Sequence, residues 1–279
     1  MALLPPDPRR AAEGLSPAER GRAEEFRLRA GQAPTALVGP RERKLLERAV
    51  TEGDLRRVLD AATQSSFHSA AEQLRRGYLS ARGGVRVGVC GTAAAGEGGA
   101  VLRELSSAAI RIPRQMFGLG AAAIAALGRE NTLILSPPGG GKTTFLRELV
   151  RRVSNAGIRV GVADERGEIA AAAEGVPGFD LGRCTDVMTG APKAEAAMAL
   201  LRSMNPQAIA LDEISAPEDI EAALRAAGCG VRVIATAHAA SAAGLAQRRL
   251  YRTLLDEHIF SRAVVITPGE TRHYEVTKL

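Results

Sequence analysis

Aromatic residues are scarce in this 279-residue chain: Phe, Tyr and Trp together make 3%, and Trp does not occur. The core must therefore be closed by Ala, Leu, Val and Ile, and a nucleic-acid surface built on a row of stacking rings is not expected. Lysine is scarce as well. Only Lys44, Lys142, Lys193 and Lys278 occur, so 33 of the 37 basic residues are arginine. Beside so much Ala and Gly, that skew reads as base-composition bias more than as a functional patch. Cysteine is limited to Cys90, Cys184 and Cys229, odd in number and without CxxC spacing. This argues for reduced, mostly structural thiols and against a disulfide framework or a Cys/His metal site. No apolar run approaches the roughly 18 residues of a membrane span; the nearest, Ala121 to Leu127, is closed by Gly128 and Arg129. Pro5, Pro6, Asp7 and Pro8 directly after Leu4 leave no apolar core for a secretory signal. The expectation is a soluble intracellular protein.

What is present is ordinary globular material, 46% hydrophobic and 24% charged with a net charge of +6. That balance permits binding to phosphates, nucleic acid or an anionic surface without selecting among them. Residues 1–15, rich in Pro, Ala and Arg, are expected to form a flexible tail. Residues 16 to about 115 read as a small α+β domain. Ser16-Pro17-Ala18-Glu19 has the pattern of a capping box. Glu25 to Val38, broken by Gly31, predicts two short strands, and Thr51 to Ala62 an amphipathic helix. Ser66 to Arg76 predicts a second helix, stopped by Gly77. Tyr78 to Ser80 and Val85 to Cys90 flank Arg82-Gly83-Gly84 as a hairpin, and Ser107 to Ile112 predicts a strand ending at Pro113.

From residue 116 to 279 strands alternate with helices. Thr132 to Leu135, Arg159 to Ala163, Ala208 to Leu211 and Arg232 to Ala235 are short apolar runs of the kind a parallel sheet buries on both faces. Helices are predicted over Lys142 to Ser154, Lys193 to Met204 and Pro217 to Ala227, and a terminal hairpin around Pro268-Gly269. The alternation implies an α/β domain with a doubly wound, mainly parallel sheet.

Ser136-Pro137-Pro138-Gly139-Gly140-Gly141-Lys142-Thr143-Thr144 carries the strongest chemical signal. In a P-loop (Walker A) the glycines let backbone N–H groups turn inward around phosphates, and the following helix adds its positive end. Pro138 to Thr144 would form that cradle, with Lys142 neutralising the β and γ phosphates of ATP and Thr143 ligating Mg2+. Ser136 departs from the pattern, which has Gly there. A Gly-rich loop with a solvated lysine is the bland alternative, and the strand before and helix after argue against it.

A matching acidic strand end (Walker B) follows at Ala208-Ile209-Ala210-Leu211-Asp212-Glu213. Asp212 would hold Mg2+ through water opposite Thr143, and Glu213 would polarise the attacking water. Asp164-Glu165-Arg166-Gly167-Glu168 should emerge at the same carboxyl edge of the sheet, making Glu165 and Glu168 further carboxylate candidates. Thr236-Ala237-His238 brings a hydroxyl and an imidazole there. His68, His258 and His273 have no comparable context.

The order of these elements, with Leu201-Arg202-Ser203-Met204-Asn205-Pro206 leading into the acidic strand, resembles the secretion and traffic ATPases of type II and type IV systems. Ser136 to Thr144, Val162 to Ala170, Arg183-Cys184-Thr185-Asp186-Val187, Phe26 to Gly31 and Gly83 to Gly88 are similar to one branch of them, the stage III sporulation protein AA family. The resemblance runs from about residue 25 to the end of the sequence. It implies a RecA-like P-loop ATPase domain and a Mg2+-dependent ATP hydrolase. It further implies a homo-oligomer, expected to be a hexameric ring, at the cytoplasmic face of a membrane-embedded sporulation channel on the mother-cell side. N-terminal arginines would reach the phosphates, with Arg75, Arg76, Arg82, Arg86, Arg111 and Arg114 as candidates. The C-terminal nucleic-acid module of some relatives is not seen before Leu279. An ATP-driven secretion-type motor is the leading expectation. A nucleic-acid-stimulated P-loop ATPase, translocase or loader is the alternative, supported only by charge and fold analogy. A non-hydrolysing structural ring is disfavoured by the intact Lys142, Thr143, Asp212 and Glu213, and a metabolic kinase by the lack of a lid or acceptor signature.

Overall fold

The computed structural model of the chain describes residues 1–63, 78–81, 84–96, 99–172, 175–269 and 272–279. The helix expected over Ser66 to Arg76, and the turn residues Arg82 and Gly83, lie outside them. Two compact units form: Met1–Arg114 with Ala171–Gly178, and Gln115–Ala170 with Phe179–Leu279.

The first unit is an antiparallel sheet with helices. Its strands are β1 (Ala23–Arg29), β2 (Thr35–Val38), β3 (Arg41–Lys44), β4 (Tyr78–Ala81), β5 (Val85–Gly96) and β6 (Gly99–Arg111), in the order β3-β2-β1-β6-β5-β4. β5 and β6 run further than their sequence predicts. Gly91 interrupts the alternation at a bulge, where a Cβ would stand 1.8 Å from the Glu104 carbonyl oxygen, so the strand continues through a residue that reads as a stop. Helix α1 (Pro6–Glu13) corrects the expected tail. Pro6 sits where a first helical turn tolerates proline, and Leu4, Ala12 and Leu15 are buried with Phe26, Leu28, Val58 and Ile110. α2 (Pro17–Arg22) begins at Ser16 with the capping box formed: the Glu19 N–H donates to the Ser16 hydroxyl and the Ser16 N–H to the Glu19 carboxylate.

Helix α3 (Glu52–Thr63) buries Leu55, Val58 and Ala62 on one face, at the three- and four-residue spacing its sequence shows. Its start is closed by a second reciprocal cap, in which the Asp54 N–H donates to the Thr51 hydroxyl and the Thr51 N–H donates to the Asp54 carboxylate. Arg48 donates to the same carboxylate at 2.7 Å.

The second unit is built on a seven-stranded sheet, ordered β13-β12-β7-β11-β10-β8-β9. Its strands are β7 (Thr132–Ser136), β8 (Val160–Asp164), β9 (Thr185–Thr189), β10 (Ala208–Leu211), β11 (Arg232–His238), β12 (Arg262–Thr267) and β13 (His273–Lys278). All neighbours are parallel except the antiparallel pair β12–β13. The helices are α4 (Ala121–Ala126), α5 (Lys142–Asn155), α6 (Lys193–Ser203), α7 (Pro217–Gly228), α8 (Ala242–Ala246) and α9 (Arg249–Asp256). With few aromatic rings beside the buried Phe145, Tyr251 and Phe260, much of the core closes by close approach. Ala196, Ala197, Ala222, Ala223 and Ala226 are buried, and a Cβ on Gly161 would already touch Leu200 at 3.4 Å. α6 ends before Asn205, which takes a left-handed φ of 46° that Asn tolerates, and Pro206 prevents the helix from resuming. β9 escapes prediction because it is a half-exposed edge strand with little apolar content. The three thiols are free, and Cys90 and Cys229 are exposed instead of serving the core. Among the described residues no helix is long and apolar enough to cross a membrane.

The α3 cap yields a stability prediction. Asp54→Ala should cost about 1–2 kcal/mol through loss of the capping box. Hydrogen bonding from Arg48, opposed by burial and aided by Thr51, lowers the Asp54 carboxyl from 3.8 to about 2. The contribution is therefore present above pH 3.8 and lost as pH falls through about 2. Denaturant titrations of parent and variant should differ at neutral pH and converge near pH 2.

Candidate functional site

β7 is buried at every residue, and its carboxyl end opens into Pro137–Gly141 before α5 begins at Lys142. Gly139 and Gly141 take φ values of 73° and 98°, which other residues adopt only under strain. Gly140 is required for a different reason. A Cβ there would lie 1.7 Å from the Ser136 hydroxyl oxygen. Ser136 is buried and its hydroxyl donates to the Pro137 carbonyl at 3.1 Å, an oxygen that also accepts the Gly140 N–H at 3.1 Å. The departure from Gly at this position is thus absorbed by a serine packed beneath the loop.

The neighbouring strands deliver the acids. β11 and β10 lie next to β7 in turn, and β8 follows, so His238, Asp212 and Asp164 emerge at one edge of the sheet. The Thr143 hydroxyl donates to one Asp212 oxygen at 3.1 Å, and the Thr236 hydroxyl donates to the other at 2.9 Å. The Glu213 N–H donates to the Thr236 hydroxyl at 2.8 Å, holding Glu213 at a left-handed φ of 37°. The Glu213 carboxylate lies 3.4 Å from His238 Nε2, and His238 Nδ1 lies 2.8 Å from Lys142 Nζ. Lys142, Thr143, Asp212, Glu213 and His238 are thereby brought into one contiguous set of polar contacts.

They line a cleft of about 360 Å³ with Gly139, Gly141, Thr144, Asp164, Glu165, Glu168 and three further cations. Pro138 and Gly140 belong to the loop but not to the cleft wall. Desolvation pushes the Lys142 ammonium below its ordinary range, against the pull of Asp212 and Glu213, and pushes the Asp212 carboxyl up. Burial also raises the Asp164 carboxyl, although it accepts the backbone N–H groups of Glu168, Ile169 and Ala170. Those bonds fold the acidic segment back over the sheet edge. Glu165 is engaged by Lys193: its carboxylate accepts the Lys193 N–H at 3.3 Å and lies 3.6 Å from Lys193 Nζ.

Lys193 and Arg272 escaped the sequence reading. Lys193 is buried between Glu165 and Asp219, and its rarity in an arginine-rich chain was the available signal. Arg272 precedes β13, far from any motif. Of the candidate N-terminal arginines, Arg86 lies over the Tyr78 ring at 4.4 Å, Arg111 pairs with Glu25 at 3.2 Å, and Arg114 donates to the Ala23 carbonyl at 2.8 Å. Arg75, Arg76 and Arg82 lie outside the described residues.

A family model described as "Sporulation stage III, protein AA" matches residues 10–275. The chain belongs to that family. Among curated relatives, it is 37% identical to the stage III sporulation protein AA of Bacillus subtilis (strain 168), over 86% of this chain and 80% of the relative. Solved structures of similar fold include the pilus retraction motor PilT with bound ADP (TM-score 0.64, 19% identity, 95% of this chain and 83% of that one). The Legionella pneumophila ATPase DotB is also similar (TM-score 0.61, 18% identity, 96% and 79%). The second unit of this sporulation-family protein thus has the RecA-like P-loop ATPase fold, preceded by a small antiparallel-sheet domain.

The Ser136–Gly140 contact generates a double-mutant prediction. Gly140→Ala should destabilise the chain by about 1–3 kcal/mol through overpacking. Ser136→Gly combined with Gly140→Ala should recover part of that loss, read as thermal melting of the two variants beside the parent.

Proposed function

We propose that the second unit binds ATP with Mg2+ and hydrolyses it. The observation that carries this reading is the Thr143–Asp212 hydrogen bond across the cleft, beside a lysine desolvated at the N-terminus of α5. A hydroxyl and a carboxylate facing each other are hard oxygen donors suited to magnesium. Bound there, the ion would neutralise charge on the phosphate oxygens. Gly139, Gly140 and Gly141 leave room for phosphate against the backbone, Pro138 would complete the loop, and the N–H groups of Lys142, Thr143 and Thr144, in the first turn of α5 and without intrahelical partners, would cradle it. Lys142, resting on His238, would exchange the imidazole for the phosphates. Glu213 would then accept a proton from the attacking water, and His238 would hold that carboxylate in position. Glu165 is engaged by Lys193, which favours Glu213 as the base.

In biological terms, we infer a motor of spore formation that couples ATP turnover to the assembly of a membrane channel, or to transport through it, from its cytoplasmic face. Family membership supports the sporulation role, and the fold shared with DotB and PilT supports the motor. Among the described residues, the cations on the acidic side of the cleft besides Lys142 are Arg166, 3.8 Å from Glu213, and Lys193, held between Glu165 and Asp219. An arginine supplied within a homo-oligomeric ring, hexameric by analogy, would complete the cleft.

Lys142→Ala should lower ATP–Mg2+ affinity by on the order of 10²-fold or more, because the phosphates lose their cation. Glu213→Gln should keep ATP bound and reduce turnover by on the order of 10²-fold. Calorimetric titration and a phosphate-release assay separate the two. Parent-like turnover in Glu213→Gln would move the base to Glu165 or Glu168. Activity per chain should rise with protein concentration if the ring completes the site, and added DNA should leave it unchanged.

A further inference from the structure

Arg272 enters the cleft from the flank opposite the acids. β12 runs parallel to β7, and β13 returns antiparallel from the Thr267–His273 pair, so the residue before β13 stands at the carboxyl edge of the sheet. His238, Asp212 and Asp164 lie on the β11 side of β7, whereas Arg272 lies on the β12 side. Its guanidinium rests on Gly141: a Cβ on that glycine would stand 3.0 Å from Arg272 Nε and 3.3 Å from Cζ. The hairpin is fixed there by Tyr274, whose ring stacks on that of the fully buried Phe145 of α5 with centroids 5.2 Å apart.

The other cations of the cleft have acidic neighbours. Lys193 lies between Glu165 and Asp219, Arg166 faces Glu213, and Lys142 feels Asp212 and Glu213. Among the described residues Arg272 meets no carboxylate within ion-pair distance, and its Nη1 stands 3.9 Å from the Met116 sulfur, a weak acceptor. A guanidinium held over a phosphate loop without an anion is a charge the ligand can satisfy.

We propose that Arg272 binds the α-phosphate of the nucleotide, from within the same chain. This rests on the nucleotide reading above. Lys142, Thr143 and the acids occupy the β11 side, where the β and γ phosphates and magnesium belong. A cation on the other side of Gly141 therefore meets the nucleoside end of the phosphate chain, which ADP and ATP share. An arginine serving the γ-phosphate would instead distinguish the two nucleotides.

The test is calorimetric titration of ADP–Mg2+ and of a non-hydrolysable ATP analogue into parent, Arg272→Ala, Arg272→Lys and Lys142→Ala chains. Parent binding that is lost in Lys142→Ala establishes the nucleotide site itself; a parent that binds neither nucleotide overturns that reading and this assignment with it. The expected result is that Arg272→Ala weakens both nucleotides alike, by on the order of 10-fold. Arg272→Lys should recover part of the loss, with thermal melting unchanged. Parent-like ADP affinity in Arg272→Ala overturns the proposal, as does a loss confined to the ATP analogue. A lysine variant as weak as the alanine variant also overturns it, since charge would then not be what binds.

Discussion

The Asp212 carboxylate is the group on which the second unit's cleft depends. One of its oxygens accepts from Thr143, at the start of the helix after the glycine-rich loop, and the other from Thr236 on the neighbouring strand. Thr236 in turn accepts the Glu213 N–H, so a single carboxylate fixes the loop, the acidic turn and the backbone twist that aims Glu213. Neutralising it would leave a buried threonine hydroxyl seeking a partner and release a strained residue at once. The site is therefore a property of three adjacent strand ends held in register by the parallel sheet, not of any one motif.

Electrostatics explains how such a cluster holds together. Lys142 is buried yet flanked by His238, and its charge is balanced by Asp212 and Glu213. The arrangement stores the cation a short distance from where phosphates would need it. Desolvation raises the cost of leaving either charge unpaired, so an incoming anion that rearranges the pairing gains more than it would on an open surface.

Much of this was legible in the chain. The P-loop, the acidic strand end and Thr236-Ala237-His238 sit at the ends of apolar runs that a parallel sheet must bury, and sheet order brings those ends together. The helix at Pro6–Glu13 was not legible, because proline-rich composition reads as disorder unless Leu4, Ala12 and Leu15 are seen to share one buried side. Gly91 hid the length of the β5–β6 ribbon, since a bulge and a strand end use the same residue. Lys193 and Arg272 reach the cleft through long-range placement alone. Nothing local marks an arginine among 33 as the one lying on Gly141.

The most direct measurement is a structure of the chain with Mg2+ and a non-hydrolysable ATP analogue. The account predicts phosphates in the Pro138–Thr144 loop, magnesium between Thr143 and Asp212, and Lys142 Nζ moved from His238 onto the phosphate oxygens. Nucleotide bound elsewhere, or bound in the loop with Lys142 still on His238 and magnesium away from Asp212, would contradict it.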